Sequence, residues 1–131
     1  MTDLDHLLTL AREARRRAYA PYSNYQVGAA LLSTSGKAFA GCNVENASYG
    51  LSMCAERVAL GNAVAAGERQ FVTLVLVTGG QSPAFPCGAC RQVLLEFAPD
   101  LTVAAFSLSG EKLVMTLRDL LPHAFTFSDL R

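Results

Sequence analysis

Phe71-Val72-Thr73-Leu74-Val75-Leu76-Val77-Thr78 is the stretch on which the fold turns. The run is short, apolar and rich in β-branched residues, so it reads as a strand. Leu74 to Val77 is continuously apolar rather than alternating, the pattern of a strand covered on both faces. On its N-terminal side Ser52 to Ala66 is rich in Ala and Leu and is stopped by Gly67, which predicts a helix. On its C-terminal side a breaker-rich loop, Gly79 to Pro86, leads into a predicted helix from Cys87 to Phe97. Further out lie a strand from Thr102 to Leu108, a turn at Ser109-Gly110, a short return strand and a last helical turn around Leu117 to Leu121. Upstream, Thr2 to about Tyr19 reads as a helix, with Thr2 as its cap, Leu4, Leu7, Leu8, Ala11 and Ala14 on one stripe, and Pro21 ending it. Gln26 to Thr34 and Lys37 to Glu45 form a hairpin about Ser35-Gly36, followed by a loop from Asn46 to Gly50. The order predicts an α/β fold, a three-layer α/β/α sandwich whose mixed five-stranded sheet is covered by helices, with crossovers making the later strands parallel.

The 131 residues fit a single domain, 1–131. Charged residues make up 17% against roughly 25% in an average soluble domain, so some apolar surface is expected between subunits. No apolar run approaches the roughly 20 residues that span a bilayer, and the first residues lack a signal-peptide pattern; the expectation is a cytoplasmic protein with no membrane partner. Eleven basic residues balance eleven acidic ones, which argues against nucleic acid and for a small ligand. Arg12, Arg15, Arg16 and Arg17 alternate with apolar positions at helical spacing and read as a solvated face. In a reducing compartment four cysteines point to metal or redox chemistry rather than disulfides.

Cys54 stands at the start of one predicted helix, and Cys87 and Cys90 in the first turn of another. A helix N-terminus lowers cysteine pKa, and zinc binds thiolates. Cys87 and Cys90, three apart, can reach one tetrahedral metal while Cys54 arrives from the second helix. Three protein ligands leave a fourth position for water, the mark of a catalytic zinc site. A structural zinc site would need a fourth ligand, and Cys42, His6 and His123 complete no paired pattern; strand alternation turns Cys42 away from Asn43 and Glu45, as a small core residue. A redox pair at Cys87 and Cys90 would leave Cys54 without a role.

Glu56 projects near the metal without having to be a ligand, where a proton shuttle belongs, although a helix-start glutamate can also be simply solvated. Three thiolates give the metal a negative shell, for which Arg57, Arg91 and Gln92 are available donors; Arg57 and Arg91 can equally be surface charges.

Cys54-Ala55-Glu56-Arg57, Ser82-Pro83 and Pro86-Cys87-Gly88-Ala89-Cys90-Arg91-Gln92 resemble the small tetrameric zinc-dependent cytidine deaminases. The likeness extends to Tyr19-Ala20-Pro21-Tyr22-Ser23, Val27 to Leu31, Gly41 to Ala47, and Leu121-Pro122 before Ala124-Phe125. It implies a cytidine deaminase-like fold, one Zn2+ per chain on Cys54, Cys87 and Cys90, and Glu56 as the catalytic proton carrier for hydrolysis of free cytidine and deoxycytidine in pyrimidine salvage. It also implies that Asn43 and Glu45 bind the ribose, that Tyr25 (typically phenylalanine in the family) and Ala55 meet the substrate, and that Arg57 and Gln92 support the ligands. Phe125 would reach a neighbouring site in a homotetramer; packed in its own core, it would not. His123 stands where many relatives have glycine. Rival readings are a blasticidin S-type deaminase acting on a modified cytosine nucleoside, a polynucleotide deaminase, and a non-catalytic zinc-binding interaction module, which would leave Glu56 idle.

Overall fold

The computed structural model describes residues 3–130. Strands β1 (Val27–Ser33), β2 (Ala38–Cys42), β3 (Phe71–Thr78), β4 (Thr102–Ser107) and β5 (Lys112–Thr116) form one sheet in the order β2-β1-β3-β4-β5. β3 and β4 pair in parallel and the remaining neighbours antiparallel, so the sheet is mixed as expected. β3 lies at its centre with the predicted bounds. Its last residue, Thr78, pairs with Val27 at the start of β1, and Gly28 pairs with Cys42 at the end of β2. One end of the sheet therefore collects the start of β1 and the ends of β2 and β3.

Helix α1 (Asp3–Arg15) covers one face, where Leu7 and Ala11 pack on Ala30, Val75, Val77 and Phe106. Helices α2 (Ala55–Ala65) and α3 (Gly88–Leu95) cover the other, where Ala59 and Leu94 pack with Leu31, Leu74 and Leu76. Burial on both faces accounts for the unbroken apolar run of β3, and each fully buried leucine there contributes about 2 kcal/mol. The helix α4 (Leu117–Leu120) is the expected last turn, and its cap Thr116 accepts a bond from Asp119 N–H.

Two glycines set how closely the helices approach. A Cβ on Gly28 would lie 1.9 Å from the carbonyl oxygen of Ala11 in α1, and one on Gly41 would lie 2.4 Å from the nitrogen of Ala59 in α2. Only a residue without a side chain fits either contact.

Several boundaries differ from expectation, and hydrogen bonding explains them. Thr2, the expected cap, lies outside the described residues. α1 ends at Arg15, not near Tyr19, because Tyr19 pairs with the segment after β2: its N–H donates to Asn43 O at 3.0 Å and its carbonyl accepts from Glu45 N–H at 2.9 Å. β2 ends at Cys42 because Val44 exchanges backbone bonds with Met53. That pairing also holds residues 52–53 extended, so α2 begins at Ala55 rather than Ser52. Cys42 is only partly buried, a correction to its expected place in the core: β2 is an edge strand, with a neighbour on one side alone.

Candidate active site

Cys54 and Cys87 are the N-caps of α2 and α3, both with extended backbones, and neither sulfur caps its own helix. Their carbonyls start the helical ladders by accepting from Arg57 and Val58 N–H, and from Arg91 N–H, at 3.0–3.1 Å. The thiols are thus left free at two helix starts that face each other. The three sulfurs of Cys54, Cys87 and Cys90 lie within 4.8 Å of one another, with Cys54 to Cys87 at 3.9 Å and Cys87 to Cys90 at 3.5 Å. A tetrahedral zinc with bonds near 2.3 Å places its sulfurs about 3.8 Å apart, so the cluster fits one such ion. The Cys90 and Cys87 thiols and the Arg57 guanidinium pull the Cys54 pKa down to about 5, while Cys90, fully buried beside Cys54, is pushed up.

Arg57 Nη2 donates to Ser52 O at 3.1 Å, and its buried Nε has no hydrogen-bond partner. It lies beside Cys54 and Cys90, so this orphan donor would meet a thiolate if the three cysteines held a metal and had lost their protons. Arg91, in contrast, is a structural tie, its Nε donating to Pro86 O and its Nη1 to Leu120 O, each at 2.7 Å. Gln92 is engaged with the C-terminal segment instead. Its Nε2 donates to Phe125 O at 2.8 Å, because α3 turns position 92 toward the C-terminal segment.

Beside the sulfurs a cleft of about 330 Å³ opens at the collected strand ends. Glu56 lines it from the first turn of α2 and is 4% exposed; burial, with the Cys54 charge adding, raises its pKa to about 7. Ala55 is buried next to it, and Val27, Leu76 and Phe85 supply apolar wall. Thr78, which sequence reasoning missed, also lines the cleft with a buried hydroxyl that has no partner. A polar residue closing an apolar strand was the available signal.

Asn43, Glu45 and Tyr25 line the same cleft. Asn43 Oδ1 accepts from Val27 N–H and its Nδ2 donates to Tyr25 O, both at 2.8 Å. Glu45 Oε1 accepts from the N–H groups of Tyr22 at 3.0 Å and Ser23 at 3.1 Å, and Oε2 accepts from the Ser23 hydroxyl. That hydroxyl comes first in holding Glu45 below the usual carboxylate range, against the opposing effect of burial. Phe125 lies outside this cleft. It and Phe127 are 58% and 62% exposed, so neither packs in the chain's own core. His123 has φ 55°, in the left-handed region where glycine costs least.

Two helix starts that bring three thiols to a buried carboxylate define a zinc-dependent hydrolase of the deaminase class. Residues 1–106 match the cytidine and deoxycytidylate deaminase zinc-binding region. The chain is 47% identical over 129 residues to a cytidine deaminase of Halalkalibacterium halodurans, covering 98% of both, and 43% identical to one of Sporosarcina psychrophila, covering 98% of this chain and 95% of that one. Among solved structures it superposes on the cytidine deaminase from Burkholderia pseudomallei with a TM-score of 0.91 at 52% identity, covering 95% of this chain and all of that one. The Mycobacterium tuberculosis cytidine deaminase gives 0.84 at 40% identity, covering 97% and 100%. The chain belongs to the cytidine and deoxycytidylate deaminase family.

Proposed function

We propose that this chain hydrolyses free cytidine and deoxycytidine to uridine and deoxyuridine with release of ammonia, as a single domain. The observation that carries the reading is a buried Glu56 beside the Cys54, Cys87 and Cys90 sulfurs, in a cleft of small-molecule size. The three cysteines would hold one Zn2+, which supplies Lewis-acid chemistry that makes a water molecule acidic near neutral pH. Glu56 takes a proton as that water's oxygen adds to C4 of the pyrimidine, and passes it to the ring nitrogen N3. It then carries the second proton to the exocyclic nitrogen, so that the C–N bond breaks and ammonia leaves. Arg57 would donate to the Cys54 sulfur in the metal-bound site and offset the negative charge of the ligand set. Ala55 and Tyr25 border the base. Asn43 and Glu45 bind a sugar hydroxyl, for which their side chains offer both donor and acceptor positions.

Exposed Phe125, held through its carbonyl by Gln92, is suited to a neighbouring subunit's cleft, and exposed Leu51, Leu113 and Val114 offer apolar surface for a homotetramer. No helix among the described residues is long and apolar enough to cross a membrane. The chemistry suits pyrimidine salvage in the cytoplasm.

The test is to incubate zinc-loaded protein with cytidine and follow the ultraviolet change as the 4-amino ring becomes the 4-keto ring, with a strong chelator as control. Metal-dependent conversion is the expected result. No conversion, in folded protein holding about one zinc per chain, would overturn the substrate assignment and direct the search to modified cytosine nucleosides.

A further inference from the structure

Glu45 and Asn43 are 7% and 9% exposed, and most of their hydrogen-bonding capacity is already committed to the segment from Tyr22 to Val27. A carboxylate has about four acceptor positions. Tyr22 N–H and Ser23 N–H fill two on Oε1 and the Ser23 hydroxyl fills one on Oε2, which leaves a single position, also on Oε2. Asn43 keeps one N–H and one acceptor position after its bonds to Tyr25 and Val27. One sugar hydroxyl can therefore donate to Glu45 and accept from Asn43 at once, provided the carboxylate is held in this orientation.

Ser23 is placed to hold it. Its hydroxyl gives its only proton to Glu45 and accepts from Tyr25 N–H at 3.0 Å, and Tyr25 O in turn accepts from Asn43. Glu45, Ser23, Tyr25 and Asn43 thus form a continuous chain of bonds around one part of the cleft, and all four line it. Asn24, between Ser23 and Tyr25, adopts a left-handed φ of 58°, which brings the Tyr25 N–H back toward the serine oxygen. Loss of the hydroxyl alone leaves the two backbone bonds to Oε1, so the turn retains its attachment.

We propose that Ser23 is a positioning residue, whose hydroxyl fixes the Glu45 carboxylate so that its one free acceptor position faces the sugar hydroxyl of the substrate. The proposal rests on the nucleoside reading of the cleft. A hydrogen bond to a charged group that is lost from one orientation corresponds to a factor of roughly ten or more in binding. In zinc-loaded protein, Ser23→Ala is expected to raise KM for cytidine about tenfold or more while kcat falls no more than about threefold, and Ser23→Thr, which keeps the hydroxyl, to restore KM. In a Glu45→Gln background, Ser23→Ala should change KM less than about twofold, because its effect acts through the carboxylate.

A second measurement needs no substrate: the Glu45 carboxyl titration followed by carbon NMR. Tyr22, Ser23, Asn24 and Tyr25 bring no charged side chain to Glu45, and Glu56 shares the cleft. The midpoint is expected to move up in Ser23→Ala, because the hydroxyl that does most to hold it down is gone. An unchanged KM, independent effects in the double variant, or an unmoved titration would each overturn the proposal. If wild type fails on cytidine while the titration moves, the substrate reading has failed and the anchoring of Glu45 by Ser23 stands.

Discussion

Gly28 meets the last turn of α1 on one face of the sheet, and Gly41 meets the first turn of α2 on the other. Both contacts press a helix onto a strand at backbone distance, yet chemistry develops at one of them. The polarity of the helix makes the difference. At Gly28 the helix end offers carbonyl groups and basic residues, and Arg15 there donates through Nε to Gln26 O at 3.0 Å, a link that only ties the next segment down. At Gly41 the helix start offers positive potential, with Cys54 at the cap and Glu56 in the first turn, where thiolates are stabilised. The same close packing becomes a frame on one face and a site on the other, according to which end of the helix arrives.

The strongest way to break this contrast is to remove a ligand from the site face. Cys87→Ala should lose zinc and with it all turnover, checked by metal analysis and the cytidine assay; a zinc-loaded, active variant would mean the ligand set is wrong. Next, Glu56→Gln should keep fold and zinc but lower kcat about 10³-fold, since the proton carrier is gone while the metal chemistry remains; near-normal turnover would remove Glu56 from the mechanism. The glycines then sharpen the comparison directly. Gly28→Ala and Gly41→Ala should each cost about 1–3 kcal/mol in denaturant unfolding. Gly41→Ala should also weaken zinc retention and kcat by shifting α2, whereas folded Gly28→Ala protein should keep both; equal losses of activity would erase the distinction between the faces. The smallest effect concerns the segment leaving α1, clasped by Glu45. The folded pKa of Glu45 is below its unfolded value, so the clasp stabilises fully above about pH 4.3 and is lost as pH falls through the lower, folded value. A plot of Tm against pH should flatten in that acid stretch for Glu45→Gln.

The site face was largely legible in the sequence because its chemistry is local. Cys87 and Cys90 share one helical turn, Cys54 and Glu56 another, and the continuous apolar run of β3 announced a sheet covered on both sides. What escaped depends on chain segments meeting at a distance. Nothing local gives Ser23 a role until the chain brings Glu45 back to it, 22 positions later. Gln92 next to Cys90 reads as a support for the ligands, yet its side-chain amide donates to Phe125 O, a direction that adjacency in sequence does not specify. The helix limits at Arg15 and Ala55 were missed for a related reason: Tyr19, Val44 and Met53 pair across the chain in isolated bridges that no local periodicity reveals.

Cys54 and Cys87 are 33 residues apart, and the whole of β3 lies between them. An ion held by both would therefore tie together two segments on either side of the central strand, and because the three thiols meet only in the folded chain, its binding energy adds to folding energy. At a free zinc concentration a hundred times the dissociation constant, binding to the native state alone contributes about 2.7 kcal/mol of stability. The cell's zinc supply thus sets how long the molecule lasts as well as how fast it works.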